Sequence, residues 1–419
     1  MSQLIQTLFI IKFVMEAFFI FFILYQMLVG VFCFYTHRDK PSGSTKVHNL
    51  VAIVAARNEA KVIGQLIESL KLQDYPSDKL DIIIIADNCT DNTAQIAREN
   101  GAIVYERFND IEKGKGFAVA YIVDILLSER KGMYDAFCIF DADNLVTPTF
   151  MTAMNEMLNL GYRAAQGYRD IKNPGDSWIS ANYSLFYWGQ NRSWNQPRCN
   201  LGLSASVNGT GFMVKMDMVE GKGWVTNSMT EDIEFTMNSI ADGVRIGWAR
   251  DAVVFDEQPI TFAESWKQRK RWTTGYIQCM KLCTGKLLKG AWERKDLKPL
   301  DATIFLLGIP AMFIGFVVFL VNLVLALTGN NNPFIFFIKL SPFLIVPGYI
   351  LSIIGCILLL KLEDKKPDKV WSGILTLPIF SVSWFIINLI CIIKPVKEWH
   401  PIEHNIGVSI HEIGNEKKK

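Results

Sequence analysis

The chain has 419 residues, half of them apolar, with 20% charged residues and a formal net charge of +2; its mean hydropathy is +0.20. Soluble proteins carry about 25% charged residues, so this composition excludes an ordinary cytosolic enzyme, a disordered chain and a nucleic-acid binder working through overall basicity. The apolar residues collect at the two ends and leave a polar middle, Pro41 to Pro299, long enough for one sizeable core. The eight cysteines are scattered without a Cys-x-x-Cys pair, so reduced thiols fit better than zinc or a disulfide framework. Cys279 and Cys283 stand one helical turn apart, but two lone thiols make a poor metal site.

A helix that crosses a bilayer needs about 20 apolar residues. Residues 17–35 meet this and extend toward Leu8 if Lys12 and Glu16 pair one turn apart. The stretch is too long for a secretory signal and lacks a small-residue cleavage site, so it reads as a retained anchor. The basic cluster His37-Arg38-Asp39-Lys40 follows it and marks the cytosolic side.

The middle alternates strands and helices. Residues 49–55, 82–86, 103–105 and 136–140 are short apolar runs of the kind found in a parallel sheet covered on both faces. Between them, 59–72, 91–99 and 117–127 show the helical period. This alternation predicts a doubly wound α/β layer, whose ligands sit beyond the carboxyl ends of the strands. Farther on, 178–194 and 262–288 mix aromatic and basic residues. They are expected to lie in the headgroup plane, against the alternative of ordinary core helices. Three more apolar stretches follow at 302–327, 340–360 and 370–393, and Arg294, Lys295, Lys298, Lys361, Lys365, Lys366 and Lys369 place the middle inside the cell. Three full crossings would put the tail outside, while Lys394, Lys397 and Lys417 to Lys419 favour inside. Pro378 breaks or kinks the fourth stretch, so that it dips and returns and the tail is expected in the cytosol.

The strand ends carry the chemistry. Arg57-Asn58-Glu59, Asp87-Asn88-Cys89-Thr90-Asp91 and Asp141-Ala142-Asp143-Asn144 all point toward one crevice. Two carboxylates one residue apart can hold Mg²⁺ or Mn²⁺, or simply shape a turn and cap a helix. Lys113-Gly114-Lys115-Gly116 is a glycine-spaced basic loop before a helix, suited to phosphate or to a plain surface turn. Asn208-Gly209-Thr210-Gly211, Thr230-Glu231-Asp232 and Gln268-Arg269-Lys270-Arg271-Trp272 follow.

The ordered set of Asp87, Asp141-x-Asp143, Thr230-Glu231-Asp232 and Q-x-x-R-W resembles the membrane-embedded family-two glycosyltransferases, which include cellulose, chitin, hyaluronan and poly-N-acetylglucosamine synthases. The likeness is close over about residues 51–272. It implies a GT-A-like α/β nucleotide-sugar-binding domain with N- and C-terminal transmembrane helices and interfacial helices. The domains would be an anchor (1–40), a cytosolic transferase domain (41–260), interfacial helices with the Q-x-x-R-W motif (261–299), membrane helices (300–393) and a tail (394–419). Within the tail, 399–404 is similar to a gating loop.

The resemblance also implies roles. Glu59 and Asp87 would hold uridine, Lys115 and Arg271 the diphosphate, and Asp141 the nucleotide sugar. Asp143, with Asp141, would bind Mg²⁺ or Mn²⁺. Asp232 would be the catalytic base, with Glu231 beside it. Gln268, Trp272 and Thr210 would meet the acceptor. The expected function is a processive inverting transfer from a UDP-sugar, UDP-glucose favoured, that extends a β-linked polysaccharide and passes it across the plasma membrane. The alternative is single addition to a lipid or cell-wall acceptor. Four helices are few for a one-chain channel, so a partner subunit or homo-oligomer would complete it. A transporter or scaffold with a degenerate domain fits less well, because every expected catalytic residue is present.

Overall fold

The structure, a computed structural model, describes residues 3–35, 42–225, 227–327, 333–396 and 408–412. The basic cluster at 37–40, most of the 328–333 loop, the 399–404 segment and the terminal lysines lie outside the described residues. The chain opens with helix α1 (Gln3–Val31). Then come strand β1 (Leu50–Ala56), helix α2 (Ile63–Lys71), β2 (Leu80–Asp87), α3 (Thr93–Glu99), β3 (Ile103–Arg107), α4 (Lys115–Ser128) and β4 (Ala136–Asp141). These three strand–helix units match the alternation read from the sequence. β1 lies between β2 and β4, and β2 is flanked by β3, all parallel. Alternate side chains of β1 explain its continuous apolar run. Leu50, Ala52 and Val54 join one core with α2, and Val51 and Ile53 join another with α4.

Beyond β4 the pattern changes. β5 (Leu145–Val146), α5 (Phe150–Asn159), β6 (Ala164–Ile171), α6 (Trp178–Gly189), α7 (Gln196–Asn200), β7 (Phe212–Lys215), α8 (Glu231–Ala241) and β8 (Ile246–Asp256) complete one eight-stranded sheet of order β3-β2-β1-β4-β7-β6-β8-β5. β7 is antiparallel to β4 and β6, while β6 and β8 are parallel. The doubly wound expectation therefore holds for one half of a mixed sheet. β6 and β8 shift register between Gly167 and Tyr168, where three extra residues of β8 are looped out, and β8 runs on to end at Asp256.

The long helix α9 (Phe262–Arg294) leads into α10 (Lys298–Leu306), α11 (Gly308–Leu327), α12 (Pro333–Leu362) and α13 (Trp371–Ile393). The stretch read as one span from 302 is broken at Leu307, three residues before Pro310, and its first turns belong to α10, where Asp301 and Thr303 are buried. Among the described residues, three helices are long and apolar enough to cross a membrane: Phe9–Phe34, Gly308–Leu325 and Trp371–Ile393. Val346–Leu362 is a shorter apolar segment among the described residues.

Polar contacts join the anchor to the rest. Lys12 pairs with Glu16, which also accepts from Asn322 Nδ2 of α11 at 2.9 Å. Tyr25 donates to Asp301 at 2.7 Å, and the same carboxylate takes the buried Arg198 guanidinium at 2.9 and 3.0 Å. The 178–194 stretch is corrected by the structure. α6 is buried on nearly every side between β6 and α13, with only Phe186 exposed among residues 179–188, so it is a core helix rather than one floating in headgroups. α9 does expose a mixed basic and apolar face, including Lys281, Leu282, Leu288 and Trp292.

Candidate active site

The strand ends of the parallel half meet the N-terminus of α8 and the middle of α9 around a cavity of about 520 Å³, a size that suits a small organic ligand. The loops after β1 and β2 are tied together. Thr90 N donates to Asn58 Oδ1 at 2.8 Å and Glu59 N to Thr93 Oγ1 at 2.8 Å. Asp87 is buried at the end of β2, held at 2.7 Å by Arg107 from the end of β3. Gly114 has φ +121°, a backbone that side chains rarely adopt, and it sets Lys115 at the first position of α4. From there Lys115 Nζ bonds the Asp141 carboxylate and the Gly209 carbonyl oxygen, the latter at 2.6 Å.

Asp141, Asp143 and Asp256 offer carboxylate oxygens that all lie within 4.8 Å of one another. Three hard oxygen donors this close fit a divalent cation such as Mg²⁺ or Mn²⁺. Asp256 was not singled out in the sequence. It ends β8, and Arg169 grips it through Nε at 3.0 Å while Asn144 and Gln258 donate to it at 2.9 and 2.5 Å. Burial pushes its carboxyl up to about 6, against the pull of Arg169. Arg169 also reaches the Asn208 carbonyl at 2.7 Å and stacks over Tyr187 at 4.0 Å. A sequence signal existed: an acidic residue closing a strand next to the crevice.

Asp232 sits in the first turn of α8. Burial, then the neighbouring Glu231 charge, raise its carboxyl to about 7, while the Ile233 amide at 2.8 Å and the charges of Lys115 and Arg169 pull the other way. α9 comes unusually near this turn because residue 275 is glycine. A Cβ there would meet Thr230 Oγ1 at 2.5 Å. Gln278 Oε1 accepts from Met229 N at 2.9 Å, and Cys279 bonds Ser228 at 3.3 Å. Cys279 and Cys283 are thus buried packing residues of the α8–α9 contact, their thiols pushed up to about 12 and 11 by burial.

Ten of the eleven residues singled out from the sequence line the one cavity: Glu59, Asp87, Lys115, Asp141, Asp143, Glu231, Asp232, Gln268, Arg271 and Trp272. Thr210 does not. It is fully buried, its hydroxyl bonds Asn144 and accepts from Asp141 N at 3.1 Å, and so it positions the acidic loop and has no open face for an acceptor. Trp272 stands edge-on to Tyr183 (5.9 Å, 88°) and stacks on Trp384 of α13 (6.3 Å, 23°). From here the cavity continues past Tyr276 and Phe305 to Ile309 and Met312 of α11 and Asn388 of α13. The buried side-chain oxygens of Gln190 and Gln268 on its wall have no hydrogen-bond partner among the described residues. Gln190 opens a π-helical turn (Gln190–Asn195) between α6 and α7, a local widening that no periodicity in the sequence announces.

A family model described as glycosyltransferase like family 2 matches residues 48–275, more than half of the chain. The chain belongs to this glycosyltransferase family. Among curated relatives, the chain is 27% identical over 289 residues to a beta-monoglucosyldiacylglycerol synthase of Nostoc, covering 67% of this chain and 59% of the relative. It is 25% identical over 270 residues to the poly-beta-1,6-N-acetyl-D-glucosamine synthase of Staphylococcus aureus, covering 61% and 63%. The chain spans little more than half the length of the first curated relatives it matches. A solved mannosyltransferase, PcManGT from Pyrobaculum calidifontis in complex with GDP-Man and Mn²⁺, shares the fold with TM-score 0.55 and 18% identity, over 90% of this chain and 98% of that one. The fold of that glycosyltransferase is thus shared over nine tenths of this chain.

Proposed function

We propose that the protein is a membrane-bound inverting transferase that moves one hexose from a UDP-sugar, UDP-glucose favoured, to a hydroxyl of a lipid-borne acceptor. The observation that carries this is the course of the cavity: it begins at the acidic cluster and ends among apolar residues of α11 and α13. Glu59 and Asp87 serve the nucleoside, Lys115 and Arg271 the diphosphate, and the guanidinium fork suits phosphate oxygens. Asp141 and Asp143, with Asp256 behind them, are the residues that would hold Mg²⁺ or Mn²⁺, which when bound supplies positive charge for a departing diphosphate. Asp232 takes the proton of the acceptor hydroxyl. As the new bond to the anomeric carbon forms, the old bond to phosphate oxygen breaks and its electron pair leaves with UDP. Burial, and after it the Glu231 charge, keeps the base's proton affinity near neutrality. Trp272 gives the acceptor sugar or headgroup a flat apolar face, and the free oxygens of Gln268 and Gln190 take its hydroxyl donors. The reading puts the catalytic domain on the cytosolic side of the plasma membrane, as Arg294, Lys295 and Lys298 before α11 favour.

Processive extension of a β-linked glycan is the second reading, favoured by the stacked Trp272 and Trp384, which offer a sugar-binding track. Among the described residues, three helices are long and apolar enough to span a membrane, few for a conduit walled by one chain, and this supports single addition. Purified enzyme is to be given UDP-glucose or UDP-N-acetylglucosamine with Mn²⁺, with and without diacylglycerol. UDP release that depends on the lipid, with a solvent-extractable single-sugar product, supports the proposal. A long insoluble glycan made without added lipid overturns it.

A further inference from the structure

The short loop between α12 and α13 is seated on the transferase domain. Asp364 is left-handed (φ +52°) and Lys365 N donates to Leu360 O at 2.8 Å, a turn of the Schellman kind that ends α12. It sets two opposite charges, two residues apart, against the domain. Glu363 is buried between two guanidinium groups, Arg192 at 3.4 Å and Arg250 at 3.3 Å. Lys365 Nζ meets the buried Asp170 carboxylate at 2.6 Å and lies 5.0 Å over the Trp188 ring. Farther along, the backbone of Gly175 packs on Lys369, whose Cβ and carbonyl oxygen a Cβ at 175 would meet at 3.2 Å. Buried ion pairs add little net stability, and their best use is to fix one arrangement.

The groups that the loop grips belong to the two strands that carry Asp256 and its guanidinium. β6 pairs with β7 only as far as Gln166, so Arg169 and Asp170 lie where β8 is the one neighbouring strand. The Arg169 carbonyl oxygen there accepts from Asn191 Nδ2, in the π-helical turn, at 2.8 Å. Arg192, which Glu363 holds, is the next residue of that turn. Arg250, which Glu363 also holds, is the first of the residues looped out of β8 between Ala249 and Val253, and β8 then runs on to Asp256. A bulge re-aims the strand beyond it. Successive side chains of a strand point to opposite faces. Lys365 grips β6 at Asp170 on one face, and Arg169 on the other grips Asp256.

We infer that the α12–α13 loop is a positioning element for the divalent-cation site: Glu363 and Lys365 fix the ends of β6 and β8 so that the Asp256 carboxylate stands beside Asp141 and Asp143. Neither residue touches substrate or cation. They act through Arg192 and Arg250 on the bulge and through Asp170 on Arg169. α12, which lends the cavity no side chain among the described residues, is thereby tied to the donor end. The inference rests on the reading of the three aspartates as the holders of Mg²⁺ or Mn²⁺.

Full-length protein in detergent is to be titrated with Mn²⁺ in the presence of equimolar UDP, with loss of the free-ion electron paramagnetic resonance signal giving Kd and UDP alone as the baseline. Melting temperature is recorded for every variant. Lys365→Met combined with Asp170→Asn removes both charges together and leaves no lone buried ion. It is expected to raise the Mn²⁺ Kd about tenfold, the scale of loss when partners of metal ligands are removed, with turnover restored at saturating Mn²⁺. Glu363→Gln is expected to act in the same direction, and Lys365→Arg, which keeps the charge, to bind Mn²⁺ as the parent does. An unchanged Kd in the double variant overturns the inference whatever the melting temperature does, since the loop would then serve stability alone. If the double variant does not fold, Glu363→Gln decides by the same criterion. Asp256→Asn separates this result from the reading beneath it. If that variant binds Mn²⁺ as the parent does, the assignment of the three aspartates falls and the inference with it; if it binds weakly while the loop variants bind normally, the inference alone falls.

Discussion

The two ends of the cavity are built in opposite ways. The donor end rests on strand termini, and its groups hold one another through charge: Arg107 on Asp87, Lys115 on Asp141, Arg169 on Asp256. The acceptor end is made of helices brought from far along the chain, and its contacts are rings on rings, such as Trp272 with Tyr183 and Trp384. A charged site placed on a sheet tolerates little change in geometry, whereas an aromatic wall made by helices can be reshaped while the chemistry is kept. Recognition of the donor is therefore expected to be stiff and recognition of the acceptor adjustable.

The sharpest break in that comparison comes at Asp232, where the two ends meet. Asp232→Asn is expected to lower kcat by about 10²–10⁴, with UDP affinity by calorimetry unchanged. On the donor side, Arg169→Ala leaves the Asp256 carboxylate buried without its guanidinium and is expected to cost about 3–5 kcal/mol of stability, read as a fall in melting temperature. Gly275→Ala probes the seam between the ends. The added methyl would meet Thr230 Oγ1 at 2.5 Å and drive α9 from the Asp232 turn, with kcat expected to fall about tenfold, a barrier rise of about 1.4 kcal/mol. Gly285→Ala, on the same helix with nothing within 4 Å, is the control and is expected to keep full activity.

Smaller effects belong to the acceptor wall. Trp384→Ala removes a stacked ring worth about 0.5–1.5 kcal/mol, so the acceptor KM is expected to rise about two- to twelvefold while the donor KM stays put. The mildest change is in pH dependence. The base must be ionised to act, so kcat/KM is expected to rise with pH through a midpoint near 7. Glu231→Gln removes a negative neighbour, which lowers the proton affinity of Asp232, and the rising limb is expected to move to lower pH. A limb that stays in place would show that burial alone sets the base.

What could be read from the sequence follows the same divide. β1, β2 and β4 are unbroken apolar runs because both faces of the parallel half are covered, and the groups at their ends stood out as short polar motifs. The antiparallel half was not legible. β6 buries Gln166, Arg169 and Asp170, so it carries no apolar signature, and Arg169 shows its purpose only once Asp256 is seen beside it. Thr210 was misread because a glycine-flanked turn looks open in sequence, while here it is packed beneath the acidic loop. Trp384 and Asn388 were hidden inside a segment whose composition suggests only lipid.

The contact between Tyr25 and Asp301 joins residues 276 apart in the chain. At synthesis rates of about 5–20 residues per second, the anchor waits on the order of tens of seconds for its counterpart to leave the ribosome. Until then Tyr25 lacks this acceptor, although Asn200, made about a hundred residues earlier, can already bond the Phe32 and Tyr35 carbonyls. The buried Asp301 carboxylate, shared by Tyr25 and Arg198, is the node at which α1, α7 and α10 meet, and it can close only after α10 has been made.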